Sequence, residues 1–294
     1  MAARLDTVTF LSDYGTGDEF VGIVHSVIRS IAPHVTVIDL THEIPPYDVR
    51  AGSLTLGRSA QYLCPGVVLA VVDPGVGTQR RAVAVEVGGG QSYLVGPDNG
   101  LLAGAVAMSG GATAAVELTN AEYHLAAPGP TFAGRDVFAP AVAHLCLGVP
   151  LGDLGRTIEP LSLLPGLLPL PRELDDGAEG VVAQVLWIDG YGNCQLNVGP
   201  EEVAELGPRV QMRWGDDVRT ADRSDTYDDL GGGQVGLVVD SYGMLSVCLG
   251  RRSAAAELGL HVDTEIALRR PSDADDPPGA RSSQPVTLTP RSTT

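Results

Sequence analysis

The chain has 294 residues, 44 % of them hydrophobic, enough for one large core or two smaller ones, and two are expected. A formal net charge of −17 and an isoelectric point near 4.6 set its surface against nucleic-acid backbones and anionic membranes. All 19 basic residues are arginine, which excludes a Walker phosphate loop and any chemistry that needs an internal lysine, such as a Schiff base or a pyridoxal site.

The first half alternates between two periodicities. TVTFLS (7–12) reads as a strand, and EFVGIVHSVIRSIA (19–32) as a helix with one apolar face. VTVIDL (35–40) is a strand and VRAGSLTLGRSAQYL (49–63) a helix. VVLAVVD (67–73), AVAVEV (82–87) and SYLVGP (92–97) are strands, followed by helices over 100–110 and 135–148. Strands and helices in turn, with almost uninterrupted apolar strands, predict an α/β fold, an αβα sandwich on a mostly parallel sheet, over residues 1–160. A Leu/Pro-rich stretch without periodicity places a linker at 161–175. Beyond it, GVVAQVLWID (180–189), CQLNV (194–198), QVGLVVD (234–240) and MLSVCLG (244–250) are short strands between turns. They predict a small antiparallel β-barrel domain over 176–270. From Pro271 onward the composition is that of a disordered tail.

Ligands of parallel α/β sheets bind outside the carboxyl ends of the strands, and three acids fall there. Asp13 ends the first strand in FLSDYGTGDE, Asp73 the third in LAVVDPGVGTQRR, and Asp98 follows LVGP. Each could simply cap a helix or close an Asx turn. That reading is preferred for Asp98, and the choice stays open for Asp13 and Asp73. The turn after Asp13 lacks the third glycine of a dinucleotide fingerprint. In TFAGRDVFAPAVAHL, Thr131 to Gly134 form a small-residue loop that lets a ligand approach the backbone. Arg135 and Asp136 read as an ion pair at a helix start. In WIDGYGNCQLN, Asp189, Tyr191 and Asn193 make either a tight hairpin loop or a clamp for a flat ring. No two histidines share a helix face at metal-ligand spacing, so no metal is expected, with His42 and His144 read as packing or surface residues. The cysteines (Cys64, Cys146, Cys194, Cys248) form no CxxC pair, which argues for reduced thiols. With no apolar run long enough for a bilayer and no basic-then-apolar leader, a soluble, cytoplasmic protein is expected.

Taken in order, FLSDYG, THEIPPYDV, VVDPGVGTQRR, LVGPDNG, TFAGRD, IDGYGN and DSYGMLSV with SAAAELGL resemble the S-adenosyl-L-methionine (SAM) hydrolases. These are also called hydroxide adenosyltransferases and are relatives of the SAM-dependent fluorinases and chlorinases. The resemblance runs from about residue 7 to 268. It implies a homotrimer, with SAM held between the N-terminal domain of one subunit and the C-terminal domain of the next. It also implies hydrolysis of SAM to adenosine and L-methionine by water attacking the 5′ carbon of the ribose, with SAM as substrate and no cofactor.

The same resemblance implies the roles of individual residues. Asp73 and Arg80 belong to a water-activating Asp–Arg–His set. Asp13 binds the ribose hydroxyls, with Tyr47 flanking the sugar. Tyr191 and Tyr227 flank adenine while Asn193 reads its edge. Asp189, Ser241 and Tyr242 hold the amino-acid end of methionine. One departure stands out. The family reads TFHGRD, and here Ala133 replaces the histidine, so the third member of the set can neither carry a proton nor donate a hydrogen bond. Ala133 is either a substitution made in a working hydrolase or a variant with altered water activation. Preserved SAM binding with reduced turnover is expected in both cases. A non-catalytic SAM or adenosine binder is the alternative from a different class. Halogenation is disfavoured, since fluorinating relatives line the halide pocket with a tyrosine and a serine where this chain has Asp73 and Gly134. A carboxylate there would repel the incoming anion. The long fluorinase insertion after the fourth strand is also absent.

Overall fold

The computed structural model describes residues 5–166 and 168–271, and the chain divides after Leu168 into two compact units. The expected tail lies, beyond Pro271, outside the described residues.

The first unit comprises β1 (Thr7–Ser12), α1 (Phe20–Ile31), β2 (Thr36–Thr41), α2 (Val49–Ser59), β3 (Val67–Val71), β4 (Ala82–Val87), β5 (Ser92–Pro97), α3 (Ala103–Met108), β6 (Ala112–Glu117), α4 (Ala139–Cys146) and β7 (Arg156–Ile158). The sheet order is β2-β1-β3-β5-β4-β6-β7. β2, β1, β3 and β5 are parallel, and β4, β6 and β7 are added antiparallel. Successive residues of a strand point to opposite faces, so each inner strand feeds two cores. Phe10 and Leu69 join Ile28 of α1 and Val142 of α4, whereas Leu11, Val68 and Ala70 join Leu56 of α2 and Ala105 of α3. An αβα sandwich results, which is why β3 reads VVLAV without a polar break.

Two local features depart from the expected outline. The helix expected over 135–148 begins as a wider π-helical turn, Gly134–Phe138, before α4. Pro140 has no N–H to give the carbonyl of Asp136, which instead accepts the backbone N–H of Leu125 at 2.9 Å. β6 and β7 lie outside the expected elements, because ATAAVE is rich in alanine and RTI is three residues long. The segment expected to be a linker is anchored at its start. Leu164 donates its N–H to Asp98 at 2.8 Å, and Arg81 binds both Asp98 and Ser162.

The second unit comprises β8 (Arg172–Glu173), β9 (Gly180–Ile188), β10 (Cys194–Leu196), β11 (Arg209–Trp214), β12 (Asp217–Ser224), β13 (Val235–Val239), β14 (Leu245–Leu249), α5 (Ala254–Leu258) and β15 (Glu265–Arg269). Seven strands close a ring in the order β10-β14-β13-β12-β11-β15-β9 and back to β10, with β8 added outside β9. All pairings are antiparallel except β12–β13. The barrel is filled by Val185, Leu196, Met212, Leu237, Val247 and Ile266 among others. β11, β12 and β15 also lie outside the expected elements. β12 reads DVRTADRS, with no apolar alternation, and it pairs with β11 across the two-residue loop Gly215-Asp216.

Candidate active site

In the first unit the expected residues gather at the carboxyl edge of the sheet. Ser12 pairs with Val71, so the ends of β1 and β3 lie side by side and carry Asp13 and Asp73 out together. Asp73 is buried and takes Arg80 in a two-point grip: Nε donates to Oδ1 at 2.8 Å, and Nη2 donates to Oδ2. The turn Pro74–Thr78 folds Arg80 back onto the acid, and its guanidinium stacks over Phe138 at 5.3 Å. The two-point ion pair beside the aromatic ring fixes the orientation of the Asp73 carboxylate.

Asp13 accepts the backbone N–H of Tyr47 at 2.9 Å. That bond holds Tyr47, an exposed side chain, in the left-handed region at φ 69°, a conformation that costs a non-glycine residue energy. Burial pushes the Asp13 carboxyl above its ordinary range. The Tyr47 N–H opposes that shift, and the charge of Asp73 adds to it. Tyr14, which no sequence motif singles out, is the hub of this edge. Burial, then the charges of Asp13 and Asp73, push its phenol far above the usual value, so it remains a neutral donor. Its hydroxyl sits where a side chain on Gly134 would be: a Cβ there would lie 2.3 Å from it. Phe132 meets Tyr14 and Phe20 edge to face, Tyr14 and Phe20 lie tilted to each other, and Ala133 packs partly buried against the same core. Asp13, Tyr47, Asp73, Arg80, Ala133 and Gly134 thus belong to one neighbourhood. The signal for Tyr14 is its place directly after Asp13.

Asp98 stands apart from this edge. It is buried, paired to Arg81, and bound to the Leu164 N–H, a structural role achieved by an ion pair rather than a cap. Arg135 and Asp136 form the expected ion pair, Nε to Oδ1 at 2.6 Å, with Arg135 stacked on Phe132.

In the second unit, Asp189, Tyr191, Asn193, Tyr227, Ser241 and Tyr242 line a single cavity of about 270 Å³. Tyr191, Tyr227 and Tyr242 are all exposed and form its rim. Asp189 closes the hairpin loop by accepting the N–H groups of Tyr191 and Asn193, both at 2.9 Å, and the Asn193 amide at 2.8 Å. These residues form a hairpin loop, closed also by the Asp189 N–H donating to the Asn193 backbone carbonyl at 3.0 Å, and the Asn193 side-chain carbonyl takes no part in these contacts. The cavity also holds Asp240, which is absent from the sequence expectations. This acid accepts the N–H groups of Tyr242 and Met244, at 2.8 and 3.1 Å, and bonds Gln195 and Ser246. It precedes Ser241 directly, and only the β13–β14 turn shows that it points inward. Two carboxylates and three phenols around a small cavity suit a cationic ligand with a flat ring.

An α/β sheet with paired acids at its carboxyl edge, followed by a closed barrel bearing a tyrosine-rimmed cavity, defines a two-domain protein built to hold a small molecule. The chain belongs to the SAM hydroxide adenosyltransferase family: the N-terminal domain of that family matches residues 8–155, and its C-terminal domain matches residues 183–267. The chain is 43 % identical over 253 residues to the (R)-S-adenosyl-L-methionine hydrolase of Salinispora tropica, covering 86 % of this chain and 94 % of that protein. To the enzyme of the same name from Thermus thermophilus it is 39 % identical over 272 residues, 89 % of this chain and 98 % of the relative. Fluorinases match at lower identity. Among solved structures, a conserved protein from Thermotoga maritima superposes with a TM-score of 0.81 at 32 % identity, covering 90 % of this chain and all of that one.

Proposed function

We propose that this chain hydrolyses SAM to adenosine and L-methionine, with water as the nucleophile at the 5′ carbon. The observation that carries the reading is the partly buried Asp73–Arg80 pair at the sheet edge, in a chain 43 % identical to a named SAM hydrolase. The sulfonium is already a good leaving group, so no acid is required to expel it. The water oxygen bonds to the 5′ carbon as the C–S bond breaks and its electron pair returns to sulfur. The water loses one proton, which Asp73 accepts and passes to solvent. Arg80 fixes the acid and stabilises developing hydroxide character. General-base help of this kind contributes about 10²–10⁴-fold, and alignment in a dry pocket supplies much of the rest. Tyr14, a neutral phenol beside both acids, offers a donor that does not compete for the proton.

Asp13 takes the ribose hydroxyls with Tyr47 beside the sugar. Tyr191 and Tyr227 flank adenine, with the side-chain carbonyl of Asn193 at its edge. Asp189, Ser241 and Tyr242 hold the amino-acid end, with Gly134 leaving room beside Tyr14. The working form is a cytoplasmic homotrimer in which SAM lies between subunits. Ala133 removes one proton relay, so turnover is slower than with histidine.

Purified protein and its Ala133→His variant are incubated with SAM, and adenosine, methionine and S-adenosylhomocysteine are followed by chromatography. Equal amounts of adenosine and methionine, formed faster by the histidine variant, are expected. Ala133 favours one rival, a binder without turnover. SAM bound by both proteins with no adenosine from either would establish it and end the hydrolase reading.

A further inference from the structure

We propose a divalent transition-metal site, of the zinc class, formed by His25, Asp39 and His42. These residues come from three places: α1, the edge strand β2, and the turn that follows it. Nε2 of His25 lies 2.8 Å from Oδ1 of Asp39, and Nε2 of His42 lies 3.0 Å from the same oxygen. One ligand atom from each residue falls within 4.8 Å of the others. In the structure the His25–Asp39 contact is a hydrogen bond. Tetrahedral donors bonded to one ion at about 2.0–2.2 Å stand roughly 3.3–3.6 Å apart, so a shift of about half an ångström at the two exposed side chains turns the cluster into a coordinated set.

The position of His42 is the second observation. Its side chain is only 4 % exposed, and its Nε2, aimed into the cluster, has no hydrogen-bond partner despite the nearby carboxylate. The other ring nitrogen, Nδ1, is 2.8 Å from Ser12 Oγ. If Nδ1 carries the proton and donates to Ser12, a buried lone pair on Nε2 faces a carboxylate. If Nε2 carries it, a buried donor goes unused. A cation resolves both: Nδ1–H donates to Ser12 while the Nε2 lone pair and Asp39 bind the ion, the usual way a ligating histidine is oriented. Both imidazoles pack against Phe10, with centroids at 4.6 Å for His42 and 6.1 Å for His25, which holds their orientations. Two imidazoles and one carboxylate select zinc, cobalt or ferrous ions over calcium and magnesium, which prefer all-oxygen sets. The side chains of His25 and Asp39 are 31 % and 42 % exposed, so water can complete the coordination.

The site braces the substrate edge. Ser12 Oγ accepts the N–H of Tyr14 at 3.3 Å, and the carbonyl of His42 accepts that of Gly15 at 2.7 Å. An ion on His42 therefore stiffens the Asp13–Gly15 turn without touching Asp73. The proposal stands whether or not SAM is hydrolysed.

The test uses the full chain in a Cys64→Ser background, stripped with a chelator and titrated with Zn²⁺ and with Co²⁺. Expected are a single saturable ion per chain, a rise in Tm on loading, and cobalt d–d bands of a nitrogen–oxygen site. His25→Gln, a surface change that leaves folding intact, and Asp39→Asn each weaken binding by at least ~10-fold, and Ser12→Ala weakens it by ~10-fold through loss of orientation. No saturable binding, or binding that survives both His25→Gln and Asp39→Asn unchanged, would overturn the site.

Discussion

Gly134 and Asp13 show how much the sheet edge depends on single atoms. A Cβ on Gly134 would collide with the Tyr14 hydroxyl, so Gly134→Ala must displace Tyr14 or the π-helical turn. Overpacking of this kind costs about 1–3 kcal/mol; thermal unfolding reads that loss, and adding Tyr14→Phe recovers most of it. For Asp13, burial favours the protonated acid, so the folded chain holds this proton more tightly than the unfolded chain does. The group favours folding at low pH, and that contribution is lost as pH rises through its raised pKa. Binding the ribose hydroxyls, the role proposed for Asp13, would need the opposite, charged form. SAM affinity is therefore expected to fall on acidification at a pH above the ordinary carboxylate range, and the limb should vanish in Asp13→Asn. A profile unchanged by that substitution would remove Asp13 from the role.

Among the elements, the pair α2 and α3 is the most demanding. Gly104 meets Gly57 so closely that a Cβ on Gly104 would lie 2.9 Å from the Ser53 carbonyl. Gly104→Ala would push α3 away from α2 and loosen the core around Leu56 and Ala105, at a cost of about 1–3 kcal/mol in denaturant unfolding. The same replacement at Gly110, where nothing lies within reach of a Cβ but φ is +83°, tests backbone strain alone. A Gly104→Ala variant as stable as the parent would show that the two helices can move apart freely.

Across the whole molecule, charge has the longest reach. A net −17 surrounds a substrate whose sulfonium and ammonium outweigh its carboxylate. Such a field concentrates the ligand and speeds encounter. Raising ionic strength from ~0.01 to ~0.15 M shrinks the screening length from ~30 to ~8 Å, so kcat/KM is expected to fall roughly twofold or more. An unchanged kcat/KM in a salt titration would mean that the local acids alone govern capture.

The features legible in the chain before folding rest on signals that are short in range. Period-two and period-3.6 apolar patterns locate β1, β3, β5, α1 and α2. Composition alone excludes lysine chemistry, and the ordered motifs point to a family. Asp13 and Asp73 are likewise legible at strand ends, where sheet topology collects ligands. Tertiary structure decides what depends on neighbours far along the chain. It adds β12, which is too polar to stand out until β11 and β13 flank it, and β11, whose short RVQMRW alternation is completed by pairing with β12 and β15. It makes Tyr14 a hub and turns Asp240 inward. It also joins His25 of α1 to Asp39 and His42, which stand three residues apart but on a strand and the turn after it, not on a helix. A ligand set assembled from a helix, a strand and a turn leaves no periodic trace, because packing and not chain distance brings its atoms together.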